Sequence, residues 1–481
     1  MPDSNHSSST TSLARILFGT APHLALIACA AMWTAVVRHD PFFWDTVQLG
    51  SKHAHFFYEN DLRWALLPTE IDSGHPPVFG YILAVLWTVC GKTLAVGHWA
   101  IFPFLVGIAL LLYRFGQQIG PDGWGWALPV LVFADPVMAG QSALVGPDIP
   151  LVFFFLLAVF ALLNGRRFLA VLAVLGLCAI SMRGMMTAAA LFVWQVAVHW
   201  PKSLQPRAIL RTGLLFLPGV AFAAIFLWWH HRAAGWTGYH PDSPWAATFQ
   251  PVDGSGFLRN VLVLGWRWLD FGRVFVWLAL GLLVFRGGLS RGEKNWRPFV
   301  LLLMALVLFL SPSALLCQNV SAHRYFLPAF VALHLLVFHL LSRVSWGCWQ
   351  KKALLVGWFV GLGAGNFWIY PPGIAMGWDS TLAHRPYHHL RQNMLAYIEK
   401  KKIPLSDIGT AFPNVNSGEH LLLNGDQRVF AEIDFEKNRY ILVSNVFNDF
   451  SKKDFEKLQR EWLLQKNLAH QGVWLTLYKK P

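Results

Sequence analysis

The sequence predicts a polytopic α-helical membrane protein of about eleven transmembrane helices, with juxtamembrane helices in its first external loop and a small C-terminal α/β extracytoplasmic domain. Three observations predict it. Hydrophobic residues make up 55% of the 481-residue chain and charged residues only 14%, against about 25% charged in ordinary soluble proteins. The mean hydropathy is +0.42, and apolar runs of about 17–25 residues, long enough to cross a hydrocarbon core as helices, recur over roughly the first three quarters of the chain. Near residue 372 the pattern changes to freely mixed charges with alternating apolar residues, as in a small soluble unit. The expected division is a membrane part, 1–372, and an extracytoplasmic α/β part, 373–481.

A formal net charge of +13 could point to nucleic acid. Lys and Arg fall instead in short clusters at the ends of apolar segments, which is the pattern of membrane orientation, so no nucleic-acid partner is expected. With the N-terminus taken as cytoplasmic, the first span runs from about Leu13 to Val37. Arg114 ends a span at 98–115, Arg166-Arg167 one at 149–163, Lys202 to Arg211 one at 185–200, Arg286 to Arg297 one at 261–285, and Arg343 to Lys352 one at 326–342. Return spans at 124–146, 168–181, 211–230, 298–313 and 353–370 put all five clusters on the cytoplasmic side. This path requires Pro77 to Cys90 not to cross. Apolar runs of about 10–14 residues are more often interfacial, and a Pro in the first helical turn sets where this one begins. The first external loop then covers 38–97 and carries two juxtamembrane helices, one starting near Asp45. Only on this path do Asp45 and Asp148 share a face.

The five cysteines (Cys29, Cys90, Cys178, Cys317, Cys348) are scattered singly without metal-ligand spacing, which predicts neither a disulfide framework nor a zinc site. In the tail, His388 to Lys402 reads as a helix, Asn438 to Ser444 as a strand, Ser451 to Arg460 as a capped helix and Gly472 to Tyr478 as a final strand. The Ser/Thr-rich first dozen residues read as a disordered cytoplasmic end.

Candidate chemistry gathers at external loops. Asp45, in Phe43-Trp44-Asp45-Thr46, follows the first span in a chain poor in carboxylates; Asp45-Thr46-Val47-Gln48 also has the spacing of a capping box. Capping and catalysis are compatible, because a carboxylate fixed at a helix start stays ionised and suits a general base. Asp148, in Gly146-Pro147-Asp148-Ile149-Pro150, opens the fourth span and is a second catalytic candidate or an N-cap. Asp135-Pro136 lies inside an apolar run, where an acid is functional or marks a kink. Arg324, in His323-Arg324-Tyr325-Phe326-Leu327-Pro328, starts a span from the external side, where an anion partner accounts for a guanidinium. His75, Arg267 and Arg273 are further candidates for holding a phosphate, with an i,i+3 pair of Asp270 and Arg273 as the competing reading. Trp44, Tyr81, Trp236, Tyr239, His323 and Tyr325 are the candidate substrate-binding residues. The loop from His231 to Leu258, which also carries Pro244-Trp245, reads as a binding element or a plain connection.

As a set, these motifs resemble the GT-C superfamily of membrane glycosyltransferases, especially the family 39, protein mannosyltransferase and lipid A aminoarabinose transferase group. The resemblance rests on Trp44-Asp45, on His75-Pro76-Pro77-Val78-Phe79-Gly80-Tyr81, on Pro147-Asp148-Ile149-Pro150-Leu151, and on Arg324-Tyr325-Phe326-Leu327-Pro328 followed by an external tail. In that group the first loop often carries Asp-Glu, whereas Thr46 follows Asp45 here, which weakens a two-carboxylate or metal-bridging role. The resemblance implies transfer of a sugar from a polyprenyl-phosphate donor to a glycan, lipid or protein hydroxyl at the extracytoplasmic face of a bacterial inner membrane. It implies inversion with Asp45 as base and Arg324, with His75 or Arg267, at the departing phosphate. No cofactor is evident; a divalent metal stays open but no acidic cluster supports one. The rival reading is a transporter or flippase for a lipid-linked or anionic solute, and a third is a sensor or assembly subunit acting through the tail. Transporters favour ionisable groups near the bilayer midplane, which only Asp135 fits.

Overall fold

In the computed structural model, residues 8–201, 205–243, 246–288, 294–371, 374 and 376–481 are described. The expected boundary at 372/373, and Lys202, Pro244 and Trp245, lie outside them. After α1 (Ser8–Val37), a turn leads through a π-helical segment (Val47–Lys52) into α2 (His53–Glu59), and α3 (Val78–Cys90) follows. These are the two expected helices of the first loop. Then come α4 (Leu94–Ile119), α5 (Ala127–Ala134), α6 (Pro136–Ser142), α7 (Asp148–Leu163), α8 (Arg167–Ile180), α9 (Met182–Val198) and α10 (Pro206–Ala234). The bundle continues with α11 (Gly254–Leu269), α12 (Arg273–Phe285), α13 (Arg297–Leu310), α14 (Pro312–Leu316), α15 (Leu327–Arg343) and α16 (Cys348–Gly365).

Apolar faces decide the packing. α7 lies against α4 and α8, α10 against α8, and α13 against α9 and α15. α15 is buried on every side from Leu327 to Leu341, as expected of a helix that is apolar all round. That central position carries the residues just before it, including Arg324, into the interior.

Three single helices, α4, α10 and the one from His323 to Arg343, are long and apolar enough to cross a membrane, and the bent pair α11 and α12 makes a fourth if it counts as one span. The other apolar helices run 10–17 residues, so the count of about eleven stays an expectation. Two expected continuous spans are broken. The one at 124–146 is split into α5 and α6 at Asp135-Pro136, where Pro136 cannot continue the backbone ladder and the Asp135 carboxylate caps α6 by accepting from Val137 N–H. The one at 261–285 bends by 82° between α11 and α12. Gly272 there has φ +79°, and a Cβ on it would collide with the Gly361 carbonyl of α16, so this tight crossing needs glycine.

Two capping expectations fail. Asp45 caps nothing; Thr46 clasps the turn instead, its hydroxyl donating to Phe43 O (2.7 Å) and accepting from Phe43 N–H (2.9 Å), while Gln48 donates to Ile71 O. Asp148 is the first residue of α7 and no side chain caps that helix. Both carboxylates are drawn off by arginines, a stronger partner than a helix N-terminus.

The tail forms α17 (Arg385–Lys400), β1 (Ile408–Thr410), α18 (Gly418–Leu422), β2 (Ala431–Glu432), β3 (Tyr440–Ser444), α19 (Lys452–Glu461), β4 (Leu463–His470) and β5 (Val473–Lys479). The sheet order is β2-β1-β3-β5-β4, with β1 parallel to its neighbours and β5 antiparallel to β3 and β4. Tyr387, Leu390, Met394 and Ile398 of α17 are buried at helical spacing, which lays one face of that helix on the sheet. Ser451 and Asp454 form the predicted cap of α19.

This α/β unit takes a residue of the first loop into its own core. Phe43, 1% exposed, packs with the tail's apolar cluster, stacked on His384 and edge-on to His388. Asp40 receives two hydrogen bonds from Arg385 (2.8 and 3.3 Å), and Phe42 N–H donates to Leu421 O. The stretch that carries Asp45 is therefore clamped by the tail.

Candidate active site

Arg324 is the centre of the site. It sits in a single 3-10 turn, His323–Phe326, at the head of α15 and is only 4% exposed. Three carboxylates from three parts of the chain converge on its guanidinium: Asp45 through Nη2, Asp148 through Nη1 at 3.2 Å, and Asp379 beside Nε at 2.8 Å. Arg183, on the first turn of α9, holds the other Asp148 oxygen at 2.5 Å. Tyr325 lies under both cations, 4.7 Å from Arg183 and 5.0 Å from Arg324. Two guanidinium groups thus face three carboxylates, a cluster with negative excess and with Asp45 as its most open member, its side chain 28% exposed.

Asp45 reaches the cluster because Trp44 before it has φ +49°. A bulky residue in that region is strained, and the Thr46 clasp and the Phe43 anchor hold it there. Trp44 packs edge-on to Phe43 and Phe412, forming a wall beside the carboxylate. His75 borders the cluster from the first loop, its Nδ1 accepting from Met182 N–H at 3.4 Å. Burial, then Arg183, holds its ring at about 3, so His75 is neutral and has only Nε2–H to offer a ligand.

Asp379 was not among the expected residues. It lies in the turn Trp378–Ser380 of the tail, where an acid is ordinary and gives no signal. Burial raises its carboxyl, Arg324 opposes this, and Asp45 and Asp148 add to it, leaving it at about 6. Its backbone carbonyl accepts from Gln141 of α6 at 2.8 Å. Arg183 was missed as well, although a signal existed: like Arg324, it stands between apolar segments, and on the path expected from the sequence both fall on the side where the positive-inside tendency would not put them.

Other expected residues are engaged elsewhere. Arg273 does not pair with Asp270; it is fully buried, bound to Asp135 at 3.2 Å and to Arg267 O at 3.0 Å, with Phe330 below it. His334 approaches the other Asp135 oxygen at 3.3 Å, and this triad closes the α5–α6 break. Asp270 gathers His323 Nε2 at 2.8 Å, Arg267 at 3.6 Å and the Tyr370 hydroxyl, a second network directly behind Arg324. Tyr81 packs against Phe57 and Trp64. Trp236 is buried against His230, whose Nε2 meets Asp72 of the first loop at 2.9 Å, and Tyr239 stacks on Phe249. The expected cluster is thus Asp45, Asp148, Arg324 and Tyr325, with Trp44 and His75 beside it. Among the described residues no group of three or more His, Cys, Asp or Glu side chains is arranged to hold a metal ion.

No family model matches the chain, and neither does any curated protein sequence. Solved structures do. The chain is similar to the crystal structure of ArnT from Cupriavidus metallidurans bound to undecaprenyl phosphate, at 11% identity over 95% of this chain and 98% of that one, with a TM-score of 0.51. The apo structure of the same protein aligns at 13% identity over 94% and 97%, with a TM-score of 0.48. The first likeness shows that the two chains share a fold.

Proposed function

We propose that this protein is an integral-membrane glycosyltransferase that moves a sugar from a polyprenyl-phosphate donor to a hydroxyl acceptor at the extracytoplasmic face of a bacterial inner membrane. The observation that carries the reading is the direct pairing of Asp45 with Arg324 across 279 residues of sequence. It sets a carboxylate base beside a guanidinium that suits phosphate, next to a membrane bundle in which a lipid tail can remain. The ArnT fold, solved with undecaprenyl phosphate, supports a polyprenyl-phosphate partner.

In this reading the acceptor hydroxyl attacks the anomeric carbon while the Asp45 carboxylate takes its proton. The bond from that carbon to the phosphate oxygen breaks, and the electron pair leaves on the phosphate, with inversion. Arg324 and Arg183 stabilise that developing charge and Asp148 fixes both guanidinium groups. General-base help contributes about 10²–10⁴-fold, so positioning and charge stabilisation supply the remainder. Arg324 holds Asp45 Oδ2, and the other oxygen of the carboxylate takes the proton.

A transporter or flippase is the second reading, favoured by the broken helices α5–α6 and α11–α12. Their ends are tied by Asp135–Arg273 and by Asp270–His323, an arrangement that favours a fixed scaffold. Mass spectrometry of polyprenyl-phosphate-linked sugars in cells carrying Asp45→Asn, at matched protein level, tests the proposal. One glycolipid accumulates if Asp45 is the base; an unchanged pool would count against it.

A further inference from the structure

We propose that Asp379, carried by the C-terminal α/β unit, stands on Arg324 where the lipid-linked phosphate binds, so that the tail supplies an exchangeable counter-ion to the donor site. This rests on the reading that Arg324 receives the phosphate. Of the three carboxylates around Arg324, Asp379 is the one whose contact is least committed. Asp148 is locked from its other side by Arg183 at 2.5 Å, and Asp45 hydrogen-bonds Nη2. Asp379 Oδ2 lies 2.8 Å from Nε, yet Nε makes no hydrogen bond among the described residues. The pair is close but misaligned. A buried N–H next to an anion that it does not point at is a donor left for another acceptor.

The rest of Asp379 is built for exchange. Its backbone is pinned to α6 by Gln141, and the Cα of Gly140 is packed against the Asp379–Thr381 backbone, where a Cβ would lie 2.7 Å from Thr381 N. Among the described residues the carboxylate itself has only the Ser380 hydroxyl as a further hydrogen-bond partner, at 3.3 Å. The side chain can therefore swing off Arg324 while the turn stays in place.

Charge gives the exchange a direction. Asp379 is faced by Arg324 and Tyr325 from the turn before α15, by Asp45 from the first loop, and by Asp148 of α7 with Arg183 of α9 behind it; among the described residues α6 presents the uncharged Gln141, and His384, on the turn packed beside Trp378–Ser380, is held neutral by burial. Three carboxylates already exceed two guanidinium groups, and a phosphate adds negative charge. Burial pushes the Asp379 carboxyl up, to about 6. It takes up the proton when phosphate arrives and releases it on departure. Phosphate binding then favours low pH and weakens as pH rises above that midpoint, by at most about tenfold per pH unit.

The test is binding of undecaprenyl methyl phosphate, a phosphodiester whose single charge does not titrate in this range, to the purified full chain in nanodiscs between pH 5 and 8. Asp379→Asn should bind several-fold more tightly than wild type at pH 8 and equally at pH 5, with the pH slope lost. Asp379→Glu should restore the slope. A slope in Asp379→Asn equal to that of wild type, or weaker binding at every pH, overturns the exchange. Arg324→Ala separates the two layers of the argument. If it leaves lipid binding intact, the reading of Arg324 as phosphate site fails; if it abolishes binding while Asp379→Asn behaves as wild type, only the role of Asp379 falls.

Discussion

Among the buried ion clusters of the bundle, the one around Arg324 and the one around Arg273 differ in how they are closed. At Arg273 one carboxylate, Asp135, meets one guanidinium, and its oxygens are further bound by His334 and the Val137 N–H. Side-chain exposure there is 0–2%. At Arg324 three carboxylates crowd one guanidinium and Asp45 keeps a side chain 28% exposed, while the Nε of each arginine lacks an aligned acceptor and so does not tell the two apart. A balanced, sealed cluster ties helices together; an unbalanced, partly open one is where a charged ligand can enter. Both arginines look alike as residues in apolar sequence, and only their surroundings separate scaffold from site.

The sharpest way to break this comparison is to exchange the expected phenotypes. Asp45→Asn should lower transfer by about 10²–10⁴-fold with an unchanged melting temperature, because the side chain is partly solvated and caps no helix. Arg273→Met should do the reverse: leaving Asp135 buried without its partner costs about 3–5 kcal/mol, read as a fall in thermal stability in detergent. If Arg273→Met were stable and inactive, the assignment of the two clusters would be inverted.

A third prediction concerns the clamp between tail and first loop. Phe43→Ala removes a buried ring from the tail core and should cost about 3–5 kcal/mol, read as earlier melting and faster proteolysis of the tail. Because Asp45 is two residues away, transfer should fall too, while Phe43→Leu recovers most of both.

The smallest effect is at the far edge of the interface, where Glu419 of α18 meets His55 at 3.1 Å and Lys92 at 2.5 Å. Burial works to raise this carboxyl, but Lys92, the Gly425 N–H and His55 outweigh it and hold it at about 2. A depressed carboxyl stabilises the fold above its unfolded value near 4.5, and the contribution is lost as pH falls toward 2. Glu419→Gln should therefore lower stability by about 1–3 kcal/mol near neutral pH. The difference from wild type should vanish in melting curves taken toward pH 2.

Much of this was legible because charge is rare in an apolar chain. Asp45, Asp148 and Arg324 stood out at the ends of separate apolar runs, and the structure joins all three. The tail's α17, α19, β3 and β5 followed from periodicity and from the Ser451 cap. What escaped had physical reasons. Asp379 is one acid among many in a polar tail, and its value comes from a contact that no local pattern encodes. β4 was missed because it is an exposed edge strand, Leu463–His470, with little alternation. The bend at Phe271-Gly272 was hidden by apolar residues that run straight through it. Asp45 and Asp148 carried a capping reading beside the catalytic one because spacing cannot show that an arginine lies closer than a helix end.

The central claim is that the Asp45–Arg324 cluster breaks a sugar–phosphate bond, and the most direct measurement uses the purified chain in liposomes loaded with the glycolipid fraction of the source cells. We would follow free polyprenyl phosphate by mass spectrometry for wild type and Asp45→Asn. The account predicts that wild type, given an acceptor-containing extract, releases polyprenyl phosphate as the glycolipid is consumed, and that Asp45→Asn does not. Glycolipid that crosses the bilayer with its sugar–phosphate bond intact would contradict the account and establish the transporter in its place.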